Sequence, residues 1–349
     1  MKRPLLVAAL AALAGLAACG KQEAAAPAAA PKTELLVYTA TEAEELPGLK
    51  KAFEEANPTL SVNWVRDSTG IITARLLAEK DHPQADVIWG LAVSSVIVLK
   101  QAGMLEPYAP PGLANLDARF IDADSPPSWT GTDVFEAAIC VNTVEAEKRK
   151  LPIPQSWADL TSPVYKGQLS MPSPASSGTG FLSVVGWIEQ FGNDKAWIFM
   201  DQLHANMARY THSGAKPCKE AAAGEIAIGI GLGFTAAKQI AKGAPLTIIY
   251  PTEGVGWDME STAIVKGTAK LAAAQRLVDF AISKRANELY NEAYPVIAYK
   301  GIAKPVPNYP ADVESKMIKM DFNWAATHRQ EVLGEWIRRY DAKSEPKTP

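Results

Sequence analysis

The chain has 349 residues, 48% of them hydrophobic and 21% charged, with a formal net charge of −3. That is a soluble composition, long enough for two packed lobes, and without a basic excess it sets nucleic acid aside as a partner. Three cysteines are too few for a disulfide framework.

The N-terminus reads as a targeting segment. Lys2 and Arg3 precede an apolar run over residues 5–18 that is too short to span a bilayer and suits a secretory core. The run ends Leu16-Ala17-Ala18-Cys19-Gly20, which resembles a bacterial lipobox. That resemblance implies a signal peptide over residues 1–18, cleavage before Cys19 and acylation of its thiol and new amine; several acyl chains make a stable tether. A plain cleaved signal with a small-residue site is the alternative. Residues 19–33 are an Ala/Pro tether with nothing to build a core. Outside the cytoplasm Cys140 and Cys218 are expected to form one disulfide, the alternative being two buried thiols.

The globular part is read as starting at Glu34. Residues 35–38 are a short buried strand, and a helix is expected from Thr39 to about Glu55, with Thr39/Glu42 and Thr41/Glu44 as capping boxes. Residues 60–65 form a strand, and Arg66-Asp67-Ser68-Thr69-Gly70 leads into a helix carrying Ile71, Ile72, Leu76 and Leu77. Residues 86–89 form another strand, and residues 90–95 open a helix that stops at Gly103. Three strand–turn–helix units predict a mainly parallel sheet with covering helices, and ligands of such sheets bind at the turns after the strands. Residues 133–142 read as one long apolar strand that crosses into a second lobe.

The stretch Ser173-Pro-Ala-Ser-Ser-Gly-Thr-Gly-Phe181 lies between a strand over residues 167–171 and an amphipathic helix over residues 181–191. Hydroxyls and glycines where a strand hands over to a helix suit an anion, which free N–H groups and the helix dipole both favour. An ordinary Ser/Thr helix cap is the simpler reading of the same residues. A further helix covers residues 196–203. Thr211, His212, Ser213 and Gly214 form a second hydroxyl-and-glycine turn, ahead of a helix opened by Pro217 and stopped by Gly224. Strands are expected at 225–232 and 246–250, with a helix at 236–242 between them. Residues 254–265 return to the first lobe, and helices over 270–292 and 312–340 finish the chain. The lobes are therefore 34–132 with 266–349, and 133–265.

Three chemistries are set aside. Gly229, Gly231 and Gly233 suggest a dinucleotide loop, but Phe234 stands where the fingerprint continues and the run lies late in the chain. A serine hydrolase lacks its G-x-S-x-G elbow at Ser177 or Ser213 and has only His212 in a candidate turn. No His/Cys pairs or carboxylate loops show metal-ligand spacing, so no catalytic residue, metal or cofactor is expected.

What remains is a set of neutral donors at the turns, Thr39, Thr41, Ser68, Thr69, Ser177, Gly178, Thr179 and Ser213, with carboxylates Glu42, Asp67, Asp258 and Glu260 and indoles Trp89 and Trp257 nearby. A pure anion would be repelled by the acids, whereas a small zwitterion uses both: anion to the turns, ammonium to acid and indole. The candidate ligand residues are Thr39, Thr41, Glu42, Asp67, Ser68, Thr69, Ser177, Gly178, Thr179, Ser213, Trp257 and Asp258.

Several blocks resemble a known family: VRDSTGIITARLLAEK at 65–80, ADVIWG at 85–90, AAICVNT at 137–143, PASSGTGF at 174–181 and YTHSGAKPCK at 210–219. They are similar to the 2-aminoethylphosphonate-binding members of the iron/phosphonate group of solute-binding proteins. The resemblance implies a type II periplasmic binding protein, two α/β lobes joined by two hinge crossings with the ligand cleft between them. It implies capture of 2-aminoethylphosphonate and delivery to the permease and ATPase subunits of an ABC importer, by a monomer that touches the membrane only through its lipid anchor. From related anion binders it brings an oxyanion contact to the turn Ser177-Gly178-Thr179. Phosphate, a phosphate ester and ferric ion are the alternatives; ferric relatives use an adjacent tyrosine pair, which this chain lacks.

Overall fold

The computed structural model describes residues 32–346. The expected signal segment, Cys19 and the tether up to Pro31 lie outside them. Strand and helix alternate as β1 (Thr33–Thr39), α1 (Leu46–Ala56), β2 (Leu60–Arg66), α2 (Thr69–Ala78), β3 (Val87–Ala92) and α3 (Val93–Gln101), followed by the short β4 (Leu105–Glu106). Next come β5 (Thr130–Asn142), α4 (Thr143–Arg149), β6 (Leu169–Pro172), α5 (Gly178–Phe191), α6 (Asn193–Asn206), β7 (Met207–Thr211), α7 (Lys216–Ala223), β8 (Ile228–Leu232), α8 (Gly233–Ala241) and β9 (Leu246–Ile249). The chain ends with β10 (Trp257–Val265), α9 (Leu271–Ala281), α10 (Lys284–Tyr290), α11 (Val313–Lys316), α12 (Phe322–Thr327) and α13 (Arg329–Tyr340).

The strands lie in the order β2-β1-β3-β10-β5-β8-β6-β7, with β4 on β10 and β9 on β5. β1 is parallel to β2 and β3, and β6 is parallel to β7 and β8. β10 runs antiparallel to β3 and β5, and β5 antiparallel to β8 and β9. The expected mainly parallel sheet is thus mixed. Each half has its parallel strands, and the antiparallel seam arises because the two crossing strands run in opposite directions. β5 pairs with β10 through residues 130–136 and with β8 and β9 through residues 137–142, so one strand serves both halves. It is buried along its whole length, the condition that makes a strand read as a continuous apolar run.

Three element boundaries differ from expectation. α1 starts at Leu46, not at Thr39: the Thr39 hydroxyl accepts from the Thr41 N–H at 3.1 Å, residues 42–45 turn, and Pro47 sets the first helical turn. Neither expected capping box forms. The 270–292 helix breaks where Ser283 caps α10, accepting from the Ala286 N–H at 3.2 Å, and the 312–340 helix breaks where Asp321 caps α12. α13 leaves the half to which its sequence position had assigned it. The Trp336 ring meets Tyr210 of β7 edge-on at 4.9 Å, and the Tyr340 hydroxyl donates to Asp201 of α6 at 2.7 Å. These aromatics find their partners on α6 and β7, so residues 329–346 are fastened to the second half of the molecule.

Cys140 of β5 and Cys218 of α7 are disulfide-bonded, with Cα atoms 5.4 Å apart. The glycines of β8 make room for that helix. A Cβ on Gly231 would lie 2.7 Å from Cys218 Sγ, and one on Gly229 would run into the Pro217 carbonyl. Close packing explains the run without any nucleotide.

Candidate functional site

The turns after β1, β2, β3, β6 and β7 converge on one cavity between the halves, with about 470 Å³ of empty space, open solvent at its mouth included. The most informative construction is the β6–α5 turn. The Ser173 carbonyl accepts the N–H groups of Ser176 (3.3 Å) and Ser177 (2.9 Å), and Ser177 caps α5 through its hydroxyl, which accepts from the Gly180 N–H at 3.4 Å. Gly180 has to be glycine, since a Cβ there would lie 2.5 Å from the Pro172 carbonyl oxygen. Gly178 lets α5 meet α2: its Cβ would stand 2.8 Å from Thr69 Oγ1. Gly214 likewise lets the turn after β7 approach, because a Cβ would overlap the Thr179 hydroxyl.

The result is a surface of helix N-termini and hydroxyls, chemistry that suits an anion. The opening N–H groups of α2 and α5 have no acceptor within their own helices, and both helices direct their positive ends at the cavity. Ser68 caps α2 without spending its hydroxyl on it. Ser68, Thr69, Ser177, Gly178, Thr179, Ser213 and Gly214 all line the cavity. One N–H closes this surface from the side: Gly70 of α2 donates to the Ser176 carbonyl at 2.8 Å, joining the two halves directly.

Two carboxylates also line the cavity, Glu42 and Glu260. Glu42 is paired with two cations, Arg66 at 3.4 Å and Lys219 at 3.6 Å. Glu260 is met by a neutral donor, the Thr41 hydroxyl at 2.8 Å. Burial, then the nearby Glu45 charge, pushes Glu260 up to about 8. Phe135 and Phe234 complete the wall.

Of the residues singled out from the sequence, Glu42, Ser68, Thr69, Ser177, Gly178, Thr179 and Ser213 are brought together. Thr39 and Thr41 lie buried beneath the wall, shaping the turn and holding Glu260. Asp67, Trp257 and Asp258 do not line the cavity. Asp67 is exposed and accepts from the Ser68 N–H at 2.7 Å. The Trp257 indole donates to the Ile318 carbonyl at 2.7 Å. Asp258 accepts from the N–H of Val93 at the start of α3 and from that of Met259 beside it on β10, and burial pushes it up to about 6. Those three side chains are committed elsewhere. Arg66, Gly90, Phe135 and Phe234 were not anticipated. Gly90 carried a local signal, a glycine directly after a buried strand: its φ is +78°, and a Cβ would overlap the Thr41 hydroxyl and lie 2.8 Å from Glu260 Oε2.

Two halves joined by crossing strands and closing over a polar cavity define a protein that captures a small solute. The chain belongs to the bacterial extracellular solute-binding protein family, whose model matches residues 82–323. A Haemophilus influenzae protein of uncharacterised role is 29% identical over 333 residues, 93% of this chain and 94% of that one. A Salmonella paratyphi A protein provisionally named a 2-aminoethylphosphonate-binding periplasmic protein is 23% identical over 240 residues, 67% of this chain and 68% of its own. Among solved structures, the periplasmic binding protein AfuA of Actinobacillus pleuropneumoniae, with fructose-6-phosphate bound, matches at TM-score 0.83 and 29% identity over 89% of this chain and 99% of that one. The periplasmic binding protein P5PA matches at TM-score 0.80 and 25% identity over 88% and 100%. The fold is that of a type II periplasmic binding protein, and the chain is a periplasmic solute-binding protein of an ABC importer, in a family whose members bind their ligands. Its partners are accordingly a small ligand and the importer's permease and ATPase. No described helix is long and apolar enough to cross a membrane.

Proposed function

We propose that this protein captures a small zwitterionic organophosphorus compound of the 2-aminoethylphosphonate type and delivers it to its importer. The carrying observation is that the N-termini of α2 and α5 and the turn at Ser213-Gly214 meet in a cavity that also presents carboxylates. The phosphonate takes the N–H groups and the hydroxyls of Ser68, Thr69, Ser177, Thr179 and Ser213. The ammonium turns to the acidic side. Neutral dipoles suit a ligand that must also be released, and the one cation lining the cavity among the described residues, Arg66, is paired with Glu42, as is Lys219. Because both halves contact the ligand, binding favours the closed form, with β5 and β10 flexing at the crossings. Capture involves no chemistry, and lipid on Cys19 keeps the protein at the membrane.

A small sugar phosphate is the second reading, favoured by the likeness to AfuA, whose structure holds fructose-6-phosphate. Calorimetric titration with 2-aminoethylphosphonate, fructose-6-phosphate, inorganic phosphate and ferric ion separates the readings. The expected result is tightest binding of the aminophosphonate, with the ligand recovered unchanged; preference for the sugar phosphate or for iron overturns it. Ser177→Ala and Thr179→Ala are each expected to weaken binding about tenfold or more, the loss of one hydrogen bond to a charged group. The anion seat is misplaced if both variants titrate like the wild type.

A further inference from the structure

Four carboxylates gather at or behind the acidic side of the cavity, and two of them lack the cations that balance the other two. Glu42 has Arg66 and Lys219. Glu45 has Lys238 of α8 at 2.5 Å and the Tyr294 hydroxyl at 3.2 Å. Glu260 of β10 lines the cavity with the Thr41 hydroxyl as its hydrogen-bond donor, and among the described residues no Lys, Arg or His lies within ion-pair distance of it. Behind it on β5, Asp133 is fully buried. Asp133 Oδ2 accepts from the Thr132 hydroxyl at 2.9 Å, and Oδ1 is buried with no partner. Glu260 and Asp133 are therefore two adjoining acids that, among the described residues, have no cation within ion-pair distance.

We infer that Glu260, backed by Asp133, seats the ligand's ammonium group. This rests on the aminophosphonate reading above. It assigns the role to a residue other than Glu42, Asp67 and Asp258, because Glu42 already has its cations and the other two lie outside the cavity. Gly90 is what admits Glu260 to the wall, since any side chain there would displace its carboxylate and Thr41. A ligand lacking the amine has nothing to pair with a Glu260 carboxylate, so Glu260 also determines selectivity against simple alkylphosphonates.

Proton balance follows. The groups facing Glu260 are Glu42 and Glu45 ahead of α1, Asp133 on β5, Lys238 on α8, and Tyr290 and Tyr294 at the end of α10. Burial first, then the Glu45 charge, holds the Glu260 carboxyl at about 8, so at neutral pH the empty site carries it as the acid. An entering ammonium stabilises the carboxylate: the O–H bond breaks, the proton leaves to solvent, and the carboxylate pairs with the ammonium. Affinity for the aminated ligand therefore rises with pH below about 8, by at most about tenfold per unit, and levels off above it.

The experiment is calorimetry of the full chain at pH 7 in buffers of differing ionisation heat, phosphate excluded, with 2-aminoethylphosphonate and ethylphosphonate. 2-Aminoethylphosphonate is expected to release about one proton more from the wild type than from Glu260→Gln, a comparison in which the phosphonate's own titration cancels. Glu260→Gln, which keeps an acceptor for Thr41, is also expected to weaken the aminated ligand about thirtyfold or more and leave ethylphosphonate as tight or tighter. Equal proton counts for wild type and variant, or a wild-type affinity for 2-aminoethylphosphonate that does not rise about fivefold between about pH 7 and 8, overturn the inference. So does an unaltered affinity of Glu260→Gln for 2-aminoethylphosphonate; in either case the aminophosphonate reading survives if the ligand still binds through Ser177 and Thr179. Wild-type protein that takes neither phosphonate overturns both.

Discussion

Gly70→Ala is expected to leave the free protein as stable as the wild type, or slightly more so, and to weaken ligand binding about tenfold to a hundredfold. Gly70 occupies the first turn of α2. Alanine is the better helix former there, so nothing within that half resists it. Across the cleft the situation reverses. The new Cβ would lie 2.5 Å from the Ala175 carbonyl oxygen and 2.8 Å from that of Ser176, both main-chain atoms of the turn that opens α5. It would also disturb the Gly70 N–H bond to Ser176. If the halves part when the ligand leaves, the clash belongs to the closed form alone. Calorimetry of the free protein and ligand titration together test this: a lowered melting temperature with normal affinity would mean that Gly70 is ordinary packing and that the halves do not part there.

The second large effect concerns stability. Replacing both disulfide partners, Cys140→Ala with Cys218→Ala, is expected to destabilise the protein by about 4 kcal/mol on chain-entropy grounds, since the bond closes a loop across 78 residues. The melting temperature should fall on the order of 10 °C. Reduction of the wild type under denaturing conditions, followed by alkylation, should reproduce the loss. The bond joins the shared strand β5 to α7, the helix that follows the Ser213-Gly214 turn. Its loss should therefore be felt as a general loosening of the second half. An unchanged melting temperature in the double variant would show that the packing of α7 against β5 and β8, not the covalent link, holds α7 in place.

The likeness to other solute-binding proteins gives the fold a clear place, but the residues that line the cavity follow from local geometry. Most donors were legible in the sequence. Hydroxyls and glycines at strand-to-helix turns are a local pattern, and Ser68, Thr69, Ser177, Gly178, Thr179 and Ser213 all reach the cavity because each turn presents its own side chains whatever surrounds it. The crossing strand over residues 133–142 was legible too, for burial on both faces leaves an unbroken apolar run.

The acidic half was not. Glu42, Asp67, Asp258 and Glu260 look alike in the sequence, and which of them faces a ligand depends on what each meets across distances of tens to hundreds of residues. Asp258 turns to the start of α3, Glu42 gains a lysine from α7, and Glu260 is left with one hydroxyl from Thr41. The attachment of α13 is of the same kind, set by Tyr210 and Asp201 rather than by its place in the chain. Local chain chemistry by itself determined the cluster of hydroxyls and helix N-termini at the cavity, since helix ends and short hydroxyl side chains act within a few residues. Only the tertiary structure decided the charge facing it, because the balance of a buried carboxylate is a sum over neighbours that the fold, and not the sequence order, brings near.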